Sequence, residues 1–301
     1  MLADALMGSM AARLILLLLS VALGALLLWP GSDKSPYMRD DIRIPVPDGH
    51  YSLAVTILRP RGDGPFGAIV LNHGVGVGAY ERFIESPTLL IQAASAFVAR
   101  GYVVVMPLRR GFGETGGAFA ESPGACSNPH FGRGERAAAT DVLAAYEFAR
   151  KLPYVDPDRM ILAGQSAGGV ASLYAAAQQP EGLRGVLAFA AGRGADPVRP
   201  SGVPCAAEAL AALFQDLGVS VRVPVLMYYT ENDLYFGPSA SRSWFQRLQA
   251  GGVRGEYVLQ PPFGDNGHFV FSDTKGIPLW LPAVERFLER HGIPFAPKRA
   301  A

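Results

Sequence analysis

The sequence predicts an α/β protein, a mostly parallel sheet covered by helices on both faces. Three observations predict it. Short apolar runs bounded by glycine or polar residues, such as Gly67–Asn72, Tyr102–Met106 and Gly185–Phe189, read as strands buried on both sides. Between them lie stretches with apolar residues at helical spacing, as at Ala138, Val142, Ala145 and Phe148, and strand–helix alternation at these lengths builds parallel sheet. The 301 residues are 50% hydrophobic and 18% charged, enough for a large core and the wrong balance for disorder.

In chain order, residues 38–59 read as two strands joined by a turn at Pro47-Asp48-Gly49. The run Gly67–Asn72 is a buried strand, and Thr88 to Arg100 is a helix stopped by Gly101. Tyr102–Met106 is a strand, Glu135 to Lys151 a helix, Met160–Ala163 a strand and Val170 to Gln178 a helix. Then follow the strand Gly185–Phe189, the helix Ala206–Leu217 and the strand Val223–Tyr229. A helix over Ser239–Leu248, a strand over Glu256–Gln260 and a helix over Leu279–Arg290 complete the order. In such sheets, sites form at the carboxyl ends of the strands.

Residues 1–30 read separately, as a targeting segment, with 31–301 as one domain. From Leu14 to Trp29 the chain has no charge, Arg13 precedes the run, and Pro30-Gly31-Ser32-Asp33-Lys34 closes it. A positive residue before an apolar run marks an export signal or an N-terminal anchor. A buried first helix is the alternative. The first two readings place the body outside the cytoplasm, at or near a membrane. Cys126 and Cys205 suit that placement. Both lie in loop-like stretches and can pair in an oxidising compartment, the alternative being two unpaired thiols. Neither has zinc-like spacing and HExxH is absent, so no metal site is indicated. Lys+Arg number 27 against 26 Asp+Glu, for a net charge of +1, which argues against nucleic acid as a partner.

One strand end carries chemistry. After Met160–Ala163 comes Gly164-Gln165-Ser166-Ala167-Gly168, a G-x-S-x-G placed between strand and helix. Such a turn exposes the serine hydroxyl and leaves no room for side chains at the glycines. The alternative is a plain helix N-cap. Serine needs a base, and of five histidines His268, after the last strand, is best placed. Asp233, after the strand Val223–Tyr229, is the best acid, with Glu231 and Asp265 as alternatives. Asn72-His73-Gly74-Val75-Gly76 follows the first central strand, so the Val75 and Ala167 N–H groups are candidate oxyanion donors. His73 reads as an anchor of that loop, and His73 and Gly74 also border the place a substrate would take. Arg109 and Arg110 could hold a substrate carboxylate or pair with a buried acid such as Asp141.

His73-Gly74, the GQSAG around Ser166, Asp233 and His268, in that order, resemble the α/β-hydrolase superfamily. The likeness spans residues 38–291. Pro107-Leu-Arg-Arg-Gly-Phe-Gly-Glu-Thr-Gly-Gly117 and Val155-Asp-Pro-Asp-Arg159 resemble the dienelactone hydrolase-like and prolyl-oligopeptidase-like branch. Dienelactone hydrolases have a cysteine where this chain has Ser166, which leans the expectation toward an esterase or peptidase. The resemblance implies the α/β-hydrolase fold, with neither cofactor nor metal. Residues 114–134 and 192–204, rich in Gly and Pro, are expected to form small lid-like insertions tied by the two cysteines.

The expected reaction is cleavage of carboxylic esters, with lactones as a variant, through an acyl-enzyme. A serine peptidase acting on short peptides is the first alternative. Peptidases of this branch usually carry a gating domain, for which the chain leaves no room. A membrane-anchored, non-catalytic binding protein is the second alternative.

Overall fold

The computed structural model describes residues 35–46, 51–76, 78–195 and 202–295. The expected targeting segment 1–30, the turn Pro47-Asp48-Gly49 and residues 196–201 of the second insertion lie outside them. The chain divides into units 1–36 and 37–301, and the sheet belongs to the second.

Eight strands form this sheet: β1 Met38–Pro45, β2 Ser52–Arg59, β3 Phe66–Asn72, β4 Tyr102–Pro107, β7 Val155–Gln165, β8 Leu183–Phe189, β9 Val225–Thr230 and β10 Gly255–Gln260. A separate two-stranded hairpin pairs β5 Gly124–Ala125 with β6 Asn128–Pro129. The order across the main sheet is β1-β2-β4-β3-β7-β8-β9-β10. β1 and β2 pair antiparallel, as do β2 and β4; all other neighbours are parallel. The helices are α1 Ala79–Phe83, α2 Ile91–Val98, α3 Phe131–Arg150, α4 Ala167–Ala176, α5 Ala207–Ser220, α6 Pro238–Ala250 and α7 Ile277–Arg290.

Alternate residues of the central strands feed two apolar clusters, one per face. Ala68 and Val70 of β3 join Val142 of α3, Val170 of α4, Phe214 of α5 and Trp244 of α6. Ile69 and Leu71 join Phe97 of α2 and Trp280 of α7. Both faces are buried, so these strands read as continuous apolar runs instead of alternating ones. Among the described residues no helix is long and apolar enough to cross a membrane.

Several boundaries differ from the sequence reading. β7 starts at Val155 instead of Met160; its first half, Asp156-Pro157-Asp158-Arg159, has Pro157 and Asp158 exposed and lacks the apolar run that marks the buried half. The expected helix from Thr88 begins as a 3-10 turn, Pro87–Leu90, capped by Ser86, before α2. α4 begins at Ala167, its first turn holding Gly168 and Gly169 despite their poor helix propensity. α1 was not anticipated: it exposes Tyr80 and Phe83 and has no buried residue, hence no apolar period.

Candidate active site

β7 ends at Gln165 and α4 begins at Ala167, so Ser166 alone makes the turn. Its backbone lies at φ 57°, ψ −126°, a positive φ that side-chain-bearing residues rarely adopt. Two glycines make this crossing possible. A Cβ on Gly164 would overlap the Gly168 carbonyl, and a Cβ on Gly168 would overlap the Asn72 and His73 carbonyls. Behind the turn, Asn72 donates to Ser172 Oγ (2.9 Å) and to the Ala163 carbonyl (3.1 Å), which locks β3, β7 and α4 together.

His268 comes from the loop after β10 and Asp233 from the loop after β9. His268 Nδ1 donates to Asp233 Oδ2 at 3.0 Å, and both side chains are buried. That bond fixes the tautomer and leaves Nε2 as the basic nitrogen. Asp233 Oδ1 accepts from the Tyr235 and Phe236 N–H groups (2.8 and 2.9 Å), which sets the carboxylate's orientation. Phe236 then connects His268 to Ser166. Its ring lies 5.4 Å from the His268 ring and 2.8 Å from where a Gly192 Cβ would be, and the Gly192 N–H donates to the Ser166 carbonyl. Among the described residues Ser166 Oγ and His268 Nε2 are not hydrogen-bonded to each other. Glu231 is exposed and Asp265 likewise, and neither pairs with His268.

The loop after β3 brings Gly74 against the serine: a Cβ there would sit 3.3 Å from Ser166 Cβ. Val75 follows it, partly exposed, and Ala167 supplies the first N–H of α4. First-turn N–H groups have no partner within their helix and point toward the N-terminus, where anions are favoured.

His73 anchors this loop. Its Nδ1 donates to the Gly74 carbonyl (2.7 Å) and its Nε2 accepts the Arg109 N–H (3.2 Å). Burial, then the neighbouring Arg109 charge, lowers its pKa to about 3, so the ring is neutral. Arg109 is fully buried. It donates to the His73 and Gly74 carbonyls (2.8 and 3.2 Å) and grips Glu121 with Nε and Nη2. Burial pushes the Glu121 carboxyl up, but the Arg109 and Arg193 charges overcome it and hold it at about 2. Arg193 also pairs with Glu135 of α3. Arg110 pairs with the buried Asp141 and lies over the Tyr51 ring.

Of the two readings of Arg109 and Arg110, pairing with a buried acid is the one seen, with Arg110 on Asp141 and Arg109 on Glu121, and binding of a substrate carboxylate is corrected. Their donors are committed to Glu121, to loop carbonyls and to Asp141. His73 likewise faces its own loop and Arg109, and so supports the site from behind.

Cys126 and Cys205 are bonded. Cys126 lies in the β5–β6 hairpin, and the Cys205 N–H donates to the Gly194 carbonyl at 2.7 Å. Gly202 exchanges backbone hydrogen bonds with Leu234 and Gly237 in the acid-bearing loop. The described parts of 114–134 and 192–204 are thus joined to each other through Arg193–Glu121 and, at the adjacent Cys205, the disulfide, and 192–204 is hydrogen-bonded to Ser166 and to the loop bearing Asp233.

Two positioning residues escaped the sequence reading. Gln165 Nε2 donates to the His268 carbonyl (2.8 Å), and Asn266 Oδ1 accepts from both the Leu234 and His268 N–H groups (3.1 Å each). Gln165 sits beside Ser166 and was legible as a neighbour; its partner, 103 residues away, was not. Among the described residues no cluster of His, Cys, Asp or Glu could hold a metal ion.

A family model described as X-Pro dipeptidyl-peptidase (S15 family) matches residues 48–250. No curated protein matches the chain. Among solved structures, a protein named as a dienelactone hydrolase from Klebsiella pneumoniae is similar, with a TM-score of 0.58 and 16% identity, over 84% of this chain and 99% of that one. An esterase of Pyrococcus furiosus aligns with a TM-score of 0.60 and 14% identity, over 88% and 94%. The acylaminoacyl peptidase of Pyrococcus horikoshii aligns at 0.58 and 14% identity, over 89% of this chain and 44% of that one. At these identities the likenesses establish the α/β-hydrolase fold.

Proposed function

The chain belongs to the X-Pro dipeptidyl-peptidase (S15) family of α/β-hydrolases, and from that premise we propose that it is a serine hydrolase cleaving carboxylic esters through Ser166, His268 and Asp233. The observation that carries the serine-hydrolase part of this reading is the buried Asp233–His268 pair at 3.0 Å, tied by a hydrogen bond to Gln165, the residue before a serine held at positive φ. In the proposed reaction Ser166 Oγ attacks the ester carbonyl carbon while His268 Nε2 takes its proton. Substrate binding brings these two atoms into hydrogen-bond contact. Asp233 stays ionised and holds the imidazolium. The Val75 and Ala167 N–H groups receive the negative oxygen. The tetrahedral intermediate collapses, the alkoxide leaves with the proton from His268, and water attacks the acyl-enzyme with His268 again as base.

Release of X-Pro dipeptides is the second reading, favoured by the family match. It needs a free carboxylate for the substrate's terminal ammonium. Of the acids near Arg109, Glu121 and Glu135 are already held by Arg109 and Arg193, and Glu85 is kept by burial in large part protonated near neutral pH; this is the support for the ester reading. Purified protein is expected to turn over p-nitrophenyl acetate or butyrate at least about tenfold more efficiently, in kcat/KM, than Gly-Pro or Ala-Pro p-nitroanilide. The opposite preference sinks the ester reading and leaves the peptidase.

We also read residues 14–29 as an export signal or uncleaved anchor, placing the body outside the cytoplasm. Arg13 before an uncharged run and the Cys126–Cys205 bond support this.

A further inference from the structure

Because β8, β9 and β10 run parallel, their starting ends share one edge of the sheet, and Ser166, Asp233 and His268 follow strand ends at the other. At the starting edge lies a cavity of about 320 Å³. Five basic side chains from four places in the chain line it: Arg184 at the start of β8, Arg222 before β9, Arg254 before β10, and Arg290 and His291 at the end of α7. The rest of its wall is apolar, and no Asp or Glu lines it. Glu256 is the nearby acid, and it pairs with Arg290 and His291. Arg184, Arg222 and Arg254 are exposed, and among the described residues no side chain of the three makes an ion pair or hydrogen bond.

Surface charge of both signs is ordinarily interspersed, and this chain is nearly neutral overall. Three unpaired guanidinium groups around one concavity repel one another and concentrate positive potential inside it. We propose that this cavity is a second binding site, for the phosphoryl group of a soluble or lipid phosphate, separate from the hydrolytic site. A carboxylate presents two coplanar oxygens and one charge. A phosphoryl group offers three oxygens in different directions and up to two charges, which suits guanidinium forks approaching from three separate elements.

The test uses the full chain in detergent, as wild type, as Ser166→Ala, and as the combined Arg184→Gln, Arg222→Gln, Arg254→Gln variant. All three arginines are exposed, so the variant is expected to melt like wild type, and its melting curve is recorded first; the single Arg222→Glu variant is the second probe. Inorganic pyrophosphate is titrated calorimetrically at low and at raised salt. In parallel, sedimentation compares vesicles of phosphatidylcholine with vesicles of equimolar phosphatidylcholine and phosphatidylglycerol. Saturable pyrophosphate binding is expected that weakens with salt, is unchanged in Ser166→Ala and falls at least about tenfold in the triple variant. Binding of pyrophosphate without preference for the anionic vesicles assigns a soluble phosphate. An arginine-dependent excess on the anionic vesicles without pyrophosphate binding assigns a lipid headgroup. Equal behaviour of wild type and both arginine variants toward both probes overturns the proposal.

Discussion

The buried imidazole of His73 ties the loop that borders the serine to Arg109, and its protonation state has a cost that can be measured. Burial, then Arg109, lowers its folded pKa to about 3, from 6.5 for a free histidine. Between those values the unfolded chain binds a proton that the folded chain does not. The stability this ring contributes is therefore complete above pH 6.5 and is lost as pH falls toward 3, by at most about 1.4 kcal/mol per unit. Glu121, held at about 2 against 4.5, adds loss of the same sign below pH 4.5. Glu85, which burial raises to about 7, works in the opposite sense between pH 4.5 and 7 but is common to any pair of variants compared. Denaturant unfolding at pH 7 and pH 5 should show wild type losing more stability than His73→Gln; equal losses would contradict the assignment.

At the scale of elements, the β7–α4 turn is the most constrained piece of backbone. A methyl at Gly168 meets two carbonyl oxygens of the β3 loop, neither free to move because Asn72 is tied to β7 and α4. Gly168→Ala is expected to destabilise by about 3 kcal/mol or more, at the upper end of overpacking costs. Gly132→Ala, in the first turn of α3 with its nearest neighbour at 4.0 Å, should be neutral or slightly stabilising. Equal melting temperatures for the two variants would mean the turn is looser than described. This turn was legible in the sequence because its requirements are local: two glycines, a serine and an apolar strand before it. The alternation giving a parallel sheet was legible for the same reason. The Arg109–Glu121–Arg193–Glu135 network was not, because its pairs lie 12 to 72 residues apart and no local pattern marks them, whereas the Arg110–Asp141 pair was among the partners the sequence offered. The half-exposed start of β7 and the exposed helix α1 were missed because an element without a buried face leaves no periodic trace.

For the whole molecule, the disulfide joins residues 79 apart, and the chain-entropy account gives such a loop a stabilisation of up to about 4.5 kcal/mol. Its larger consequence is placement. It connects the hairpin insertion to the segment leading into α5, and that segment is hydrogen-bonded to the loop bearing Asp233. An exported chain should carry this bond in the cell. Maleimide treatment of denatured, unreduced protein isolated from cells should add no mass, and reduction should expose two reactive thiols. Two additions without reduction would contradict export into an oxidising compartment. Recovery in the membrane or the soluble fraction then separates an anchor from a cleaved signal.

The central claim, that Ser166 is an activated nucleophile, is tested most directly by intact-mass analysis after reaction with a fluorophosphonate. Wild type is expected to gain one equivalent of label, and Ser166→Ala none. A folded wild type that stays unlabelled, or a Ser166→Ala variant that labels equally, would contradict it.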